Sequence, residues 1–319
     1  MTADLPCVLF VDDEERILRS LRMLFRGRFE ILTTTSGREA IDWVKRRPVH
    51  VIVSDQRMPE MSGVAVLREV AEHSPSTMRI LLTGYADMDA VTDSVNEGEI
   101  FRFVEKPWNG VALVDSVAEA AGIAMSEFAA ASRSAIPRDA RAKSAEGGIS
   151  FNAIAARVVV LDESGDLVAL VRDLLPTAVH VAHATSLEAA LDILAEKDVA
   201  MVVAQLASAN GDVADSLKQL KRLRPATLSV VVSPLRDSRL VIGLINEGQI
   251  FRFLLNPPPR ELLRRGLIAG LERHAEMRVA SNLLRRHAVE APRAEAATMP
   301  GRLLQAWRRL REAAITRIA

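Results

Sequence analysis

The chain has 319 residues, enough for about two domains of ordinary size, and is 49% apolar and 26% charged, as globular proteins are. Its formal net charge is zero, which argues against a global field drawing the whole chain to nucleic acid or a membrane surface. A single cysteine, Cys7, excludes an internal disulfide; no apolar run approaches the ~20 residues of a spanning helix and no signal-peptide pattern opens the chain, so a soluble, cytoplasmic protein is expected.

Residues 8–11, Val-Leu-Phe-Val, form a continuous apolar run ending in Asp12-Asp13, the pattern of a buried parallel strand. Ile17, Leu18, Leu21, Leu24 and Phe25 then recur at helical spacing. Phe29 to Leu32 gives a second strand, and Ser36 can cap a helix carrying Ala40, Ile41, Trp43 and Val44. Val49 to Ser54 is the third strand, and it delivers the carboxylate of Asp55 at its C-terminal end. A helix from Gly63 to Glu72, a strand from Arg79 to Thr83 and a helix from Met88 to Glu97 follow, with Gly98 as its C-cap. Ile100 to Val104 is the fifth strand and Val111 to Phe128 the fifth helix. Strand and helix alternate five times, which implies a parallel sheet covered on both faces. Residues 129–155, rich in Ala, Ser, Arg and Lys with Pro137 and Gly147-Gly148, read as a linker.

The second half repeats the first at an offset of 150 residues: Asn96-Glu97-Gly98-Glu99-Ile100-Phe101-Arg102-Phe103 returns as Asn246-Glu247-Gly248-Gln249-Ile250-Phe251-Arg252-Phe253. Val158 to Glu163 matches Val8 to Asp13, Thr185-Ser186 matches Thr35-Ser36, and Pro225 matches Pro75. The expected architecture is α/β: two doubly wound (βα)5 flavodoxin-like domains in tandem, residues 5–128 and 156–275, and a helical C-terminal tail over 276–319.

Each motif alone is bland. A lone Asp after an apolar strand is usually a turn or capping residue, an acidic pair after a first strand is a common helix N-terminal feature, and Lys-Pro means almost nothing. In order on a β-α alternation, however, Asp12-Asp13, Asp55, Thr83 and Lys106-Pro107 resemble the receiver domain of two-component response regulators. The resemblance implies that Asp55 is the phosphoacceptor, receiving a phosphoryl group from a histidine kinase or phosphotransfer protein, and that Lys106 reaches a phosphoryl oxygen. It implies Mg2+ held by Asp12, Asp13, Asp55 and the main-chain carbonyl of Arg57. It also makes Thr83 and Phe103 the switch residues, with output through residues 87–128, and a cis peptide before Pro107. Aspartate-nucleophile phosphatases keep a second acid two residues after the nucleophile; here that position is Arg57, so chemistry beyond self-phosphorylation and slow self-dephosphorylation is not expected of this chain.

At the repeat offset Asp55 becomes Gln205, Lys106 becomes Asn256, Thr83 becomes Ser233, Asp13 becomes Glu163 and Gly63 becomes Val213, while Asp162 and Phe253 are kept. The second domain is expected to be a pseudo-receiver that takes no phosphoryl group. No helix-turn-helix, P-loop, zinc cluster or cyclic-nucleotide enzyme motif follows, so a switch in contacts with a downstream protein is the expected output. The alternatives are a phosphorylation-independent dimeric scaffold and, less favoured, a nucleic-acid or membrane-surface binder. The first would use the leucines of a helix from Glu261 to Val289 (Leu262, Leu263, Leu267, Leu271, Met277, Leu284) for homodimerisation. The second would use a basic amphipathic helix over Leu303 to Ile318, with Arg302, Arg308, Arg309, Arg311 and Arg317 around Leu303, Leu304, Trp307, Leu310 and Ile315.

Overall fold

In the computed structural model the residues described are 5–84, 100–133, 156–206, 211–234, 238–248, 250–279 and 301–316. The first repeat runs β1 (Cys7–Val11), α1 (Glu15–Phe25), β2 (Glu30–Thr34), α2 (Gly37–Arg46), β3 (Val51–Asp55), α3 (Gly63–His73), β4 (Met78–Thr83), β5 (Arg102–Glu105) and α4 (Gly110–Arg133). The second runs β6 (Arg157–Leu161), α5 (Asp166–Leu174), β7 (His180–Ala184), α6 (Leu187–Glu196), β8 (Met201–Gln205), α7 (Gly211–Leu223), β9 (Leu228–Ser233), α8 (Ser238–Gly248), β10 (Arg252–Leu255) and α9 (Arg260–Val279), followed by α10 (Gly301–Thr316). Sequence patterning placed the second and fifth strands slightly early, at Phe29 and Ile100. Ile100 and Phe101 are buried but precede β5, so their apolar character marks core rather than strand. The expected helix over Met88 to Glu97 and most of the linker lie outside the described residues.

Both sheets have five strands, ordered β2-β1-β3-β4-β5 and β10-β9-β8-β6-β7, which is one order in both repeats. The fold is the expected one, two parallel sheets flanked by helices in a flavodoxin-like arrangement. Every strand of the second repeat starts and ends 150 residues after its counterpart, and the pairing follows: Val8 faces Val51 and Val158 faces Met201. Central strands are buried from end to end because helices cover both faces, which is why they read as unbroken apolar runs. The expected cap is made and repeated: Ser36 accepts from the Glu39 N–H, and Ser186 from the Ala189 N–H.

One buried device has been rebuilt between repeats. In the first, Arg79, 1% exposed in the middle of an apolar strand, donates through Nη1 to the carbonyls of Thr77 (2.7 Å) and Pro75 (3.4 Å). In the second, Ser229 stands at that position, and the same two carbonyls, Pro225 and Thr227, are held by Lys221 Nζ at 2.8 and 3.3 Å. Lys221 comes from α7, where the first repeat has Ala71. Burial pushes the pKa of Lys221 down to about 7. The threonine beside the turn is unchanged: Thr77 Oγ1 donates to Val49 O at 2.7 Å, and Thr227 Oγ1 to Val199 O at 2.9 Å.

The leucine-rich face of α9 is spent inside the fold. Leu263, Leu267, Leu271 and Met277 are buried beneath β8 and β9, and Leu262 is exposed; Leu284 lies outside the described residues. Four of the six apolar residues named for a dimer seam are thus used within the fold. The apolar side of α10 is likewise occupied: Ala306, Trp307 and Leu310 are buried, the helix lies on α6, and Arg309 Nη1 stands 3.1 Å from Asp192 Oδ1. Side chains of Arg302, Leu303, Leu304, Ile315 and Arg317 are outside the described set. Among the described residues, no helix is long and apolar enough to cross a membrane.

Contacts divide the chain differently from the repeat. One compact unit comprises Met1–Glu127 with Pro234–Leu255, the other Phe128–Ser233 with Asn256–Ala319. The segment carrying α8 and β10 thus groups with the first repeat.

Candidate functional site

β1 lies between β2 and β3, so the chain reverses its winding there and the helices leave opposite faces, opening a crevice at the C-terminal ends of these strands. Asp12 and Asp13 follow β1, and Asp55 closes β3. One carboxylate oxygen from each of the three lies within 4.8 Å of the others, with Asp12 and Asp55 buried and Asp13 exposed. Among the described residues no second group of this kind occurs. Lys106, just past β5, reaches into the cluster: its Nζ is 2.6 Å from Asp55 Oδ1 and 3.1 Å from Asp12 Oδ2.

Backbone donors fix the orientation of these acids. The Glu14 N–H donates to Asp12 Oδ1 at 2.9 Å, and the Arg57 N–H to Asp55 Oδ2 at 3.1 Å. Burial raises the pKa of Asp12, only partly countered by the Glu14 amide and Lys106. For Lys106, burial disfavours the charge, but the hydrogen bond to Asp55 and the field of both carboxylates more than offset it and hold the pKa above its usual value. Three carboxylates against one ammonium leave the cluster with a negative excess, which favours a cation.

The loop after β3 is set by close approach. A Cβ on Gly63 would stand 2.1 Å from the Asp55 carbonyl oxygen, so only glycine fits where α3 starts against the strand end. The Gly63 N–H donates to Gln56 O at 3.0 Å, and Gln56 Oε1 accepts from the Val64 N–H at 3.2 Å. Sequence reading passed over Gln56, which is 7% exposed; its signal was a polar residue directly after the apolar run that ends in Asp55. Thr83 ends β4, with its hydroxyl 3.3 Å from Gly84 O and its carbonyl accepting from the Lys106 N–H at 2.9 Å. Phe103 is buried in β5. The peptides before Pro107 and Pro257 are both cis, as the resemblance implied for the first.

The equivalent edge of the second sheet keeps the backbone and changes the side chains. The Leu206 N–H donates to Val232 O and the Asn256 N–H to Ser233 O, at 2.8 and 2.9 Å, matching Gln56 to Leu82 and Lys106 to Thr83. Asp162 is turned into a helix cap. Its Oδ1 accepts from the Ser164 N–H and hydroxyl, at 3.1 and 3.0 Å, and its Oδ2 from the Leu167 and Val168 N–H groups at 2.8 and 3.3 Å. Burial alone would raise its pKa, but these donors together lower it. Gly165, at φ 86°, makes the turn that brings the amides round. Gln205 is half-buried, Asn256 exposed and Ser233 buried. Val213 replaces Gly63, and α7 begins two residues earlier, at Gly211.

Comparison with known proteins agrees with this geometry for the first repeat. Residues 8–118 match the response regulator receiver domain family, so the N-terminal region is a receiver domain. The hydrogenase transcriptional regulatory protein HoxA of Cupriavidus necator is 42% identical over 113 residues, which is 35% of this chain and 23% of that protein. The DNA-binding transcriptional regulator NtrC of Klebsiella pneumoniae is 34% identical over 109 residues, 33% of this chain and 23% of that protein. The chain thus spans about a quarter of the length of the curated relatives it matches. Among solved structures, the signal receiver domain of an HD domain-containing protein from Pseudomonas fluorescens is 31% identical, with 40% of this chain and 95% of that one covered, at a TM-score of 0.38.

Proposed function

We propose that this protein is a phosphorelay response regulator in which Asp55 is the phosphoacceptor and the second repeat is a silent pseudo-receiver. The assembled set of Asp12, Asp13, Asp55 and Lys106 carries the reading, because it places a nucleophile, an acidic cation site and a mobile ammonium within hydrogen-bond reach at one crevice. A carboxylate oxygen of Asp55 attacks the phosphorus of a phosphohistidine or acyl phosphate; the P–O bond to Asp55 forms as the bond to the donor's nitrogen or oxygen breaks, and the donor keeps that electron pair. Lys106, already 2.6 Å from Asp55 Oδ1, transfers its contact to a phosphoryl oxygen. The Thr83 hydroxyl, now turned to Gly84 O, would donate to another, and Phe103 would respond.

Three carboxylates close together suit Mg2+, a hard cation that takes oxygen ligands, and Asp12, Asp13 and Asp55, with the Arg57 carbonyl, would hold it. When bound it supplies neutralisation of the phosphoryl oxygens. Output is read as a change in protein-protein contacts, with the receiver over 5–128, the pseudo-receiver over 156–275 and the tail over 276–319. Gln205, a neutral amide, Asn256 in place of the ammonium, and Asp162 tied to four donors support silence in the second repeat.

Acetyl phosphate with Mg2+, read on a phosphate-affinity gel, tests the reading. A retarded band that needs Mg2+ and is lost on chelation and in Asp55→Ala is expected. A band indifferent to both would overturn it.

A further inference from the structure

Within the unit formed by Met1–Glu127 and Pro234–Leu255, β5 is the edge strand of the first sheet, and its outward backbone groups would ordinarily be open. They are not. The Phe103 N–H donates to Asn246 Oδ1 at 2.8 Å, and Asn246 Nδ2 donates to Phe103 O at 2.7 Å. One side-chain amide, offering one acceptor and one donor in a plane, thus pairs with a single residue as a neighbouring strand would. Asn246 sits near the end of α8, which lies along β5. The gripped residue is the buried aromatic of the strand that ends one position before Lys106, and Lys106 is paired to Asp55 in the same arrangement.

We propose that Asn246 is a clamp on the β5 edge: it closes that edge to strand-adding or β5-docking protein partners and opens when Asp55 carries a phosphoryl group. The physical basis is competition and linkage. A partner adding to the edge needs the same Phe103 groups that Asn246 occupies. A phosphoryl group at Asp55 draws Lys106 off the carboxylate, and β5 is only four residues long, so a shift at Lys106 is felt at Phe103. A bidentate contact at 2.7–2.8 Å tolerates little displacement. By reciprocity, a clamp that favours the unphosphorylated geometry opposes phosphorylation. Asn246 is therefore a positioning residue, not a catalytic one. The coupling rests on the proposed role of Asp55; the clamp does not.

Residue-resolved amide hydrogen exchange on the full chain tests both parts. The Phe103 amide should be protected in the unmodified protein, and protection should fall about tenfold or more in Asn246→Ala. Asn246→Asp, which keeps the acceptor and loses the donor, should fall between, with circular dichroism confirming that both variants fold. Treatment with acetyl phosphate and Mg2+, with the adduct verified by intact mass, should lower Phe103 protection in the wild type and in no amide of Asp55→Ala. Equal protection in wild type and Asn246→Ala overturns the clamp. A verified adduct with unchanged Phe103 exchange overturns the coupling. Absence of any adduct overturns the role of Asp55 and the coupling with it, while the Asn246→Ala comparison still decides the clamp.

Discussion

Two sheet edges built on one backbone register do opposite things with charge. At the first, three carboxylates converge and one lysine bridges two of them, Asp12 and Asp55. At the second, the surviving aspartate turns back on its own helix and takes four local donors. The strands, the loop hydrogen bonds and the cis peptides are common to both. The fold therefore does not depend on the acidic cluster. What the first edge has, and no other group among the described residues repeats, is a gathering of three carboxylates with one ammonium beside two of them.

The largest expected effect of breaking this comparison is on labelling. Lys106→Met, which makes the first edge resemble Asn256, should slow phosphorylation by acetyl phosphate by about a hundredfold, while the reciprocal Asn256→Lys should create no second acceptor. Labelling rates by gel check both. Next comes the glycine. Gly63→Val imports the residue found at position 213 and drives a Cβ into the Asp55 carbonyl; a loss of about 3 kcal/mol in urea unfolding is expected. Val213→Gly meets no such conflict and should cost about 1 kcal/mol, through helix propensity and lost packing.

The carbonyl-gripping cations sharpen the comparison further. Arg79→Ser should cost about 2 kcal/mol, because it leaves the Thr77 and Pro75 carbonyls buried, and Ala71→Lys in the same chain should restore part of it, as Lys221 does for the second repeat. A double-mutant cycle showing no coupling would refute the equivalence. Stability should also depend on pH. Lys221 has a folded pKa of about 7 against 10.5 for a free lysine, so across that window the unfolded chain binds the extra proton. Stability should then rise as pH climbs from about 7 towards about 10.5, with the full penalty present below 7. Unfolding midpoints of wild type against Lys221→Met across the window isolate the contribution, and parallel pH profiles would contradict it.

Much of this was legible in the chain itself. Apolar runs marked the buried strands β1 and β3, and the ungapped repeat predicted an offset of 150 residues that every strand of the second half follows. Asp12, Asp13, Asp55 and Lys106 were found together because their order on the β-α alternation resembles a receiver domain, and each lies at or just past the C-terminal end of a strand. The hidden features are side-chain to backbone contacts over long separations, which leave no periodic trace. Asn246 looked like one letter of a repeated motif, and its grip on Phe103 depends on which unit its helix joins. The leucines of α9 and the apolar side of α10 were visible as amphipathic faces, but what covers them is a tertiary matter. Arg79, a cation inside an apolar strand, was a signal that could have been followed, since a buried guanidinium requires acceptors.

The most direct test of one live edge and one silent edge is the number and position of phosphoryl adducts per chain. Intact-mass analysis after acetyl phosphate and Mg2+, followed by mapping of the modified peptide, should give at most one adduct, at Asp55. It should be absent in Asp55→Ala and unchanged in Gln205→Ala. A second adduct, or one that persists in Asp55→Ala, would contradict the account.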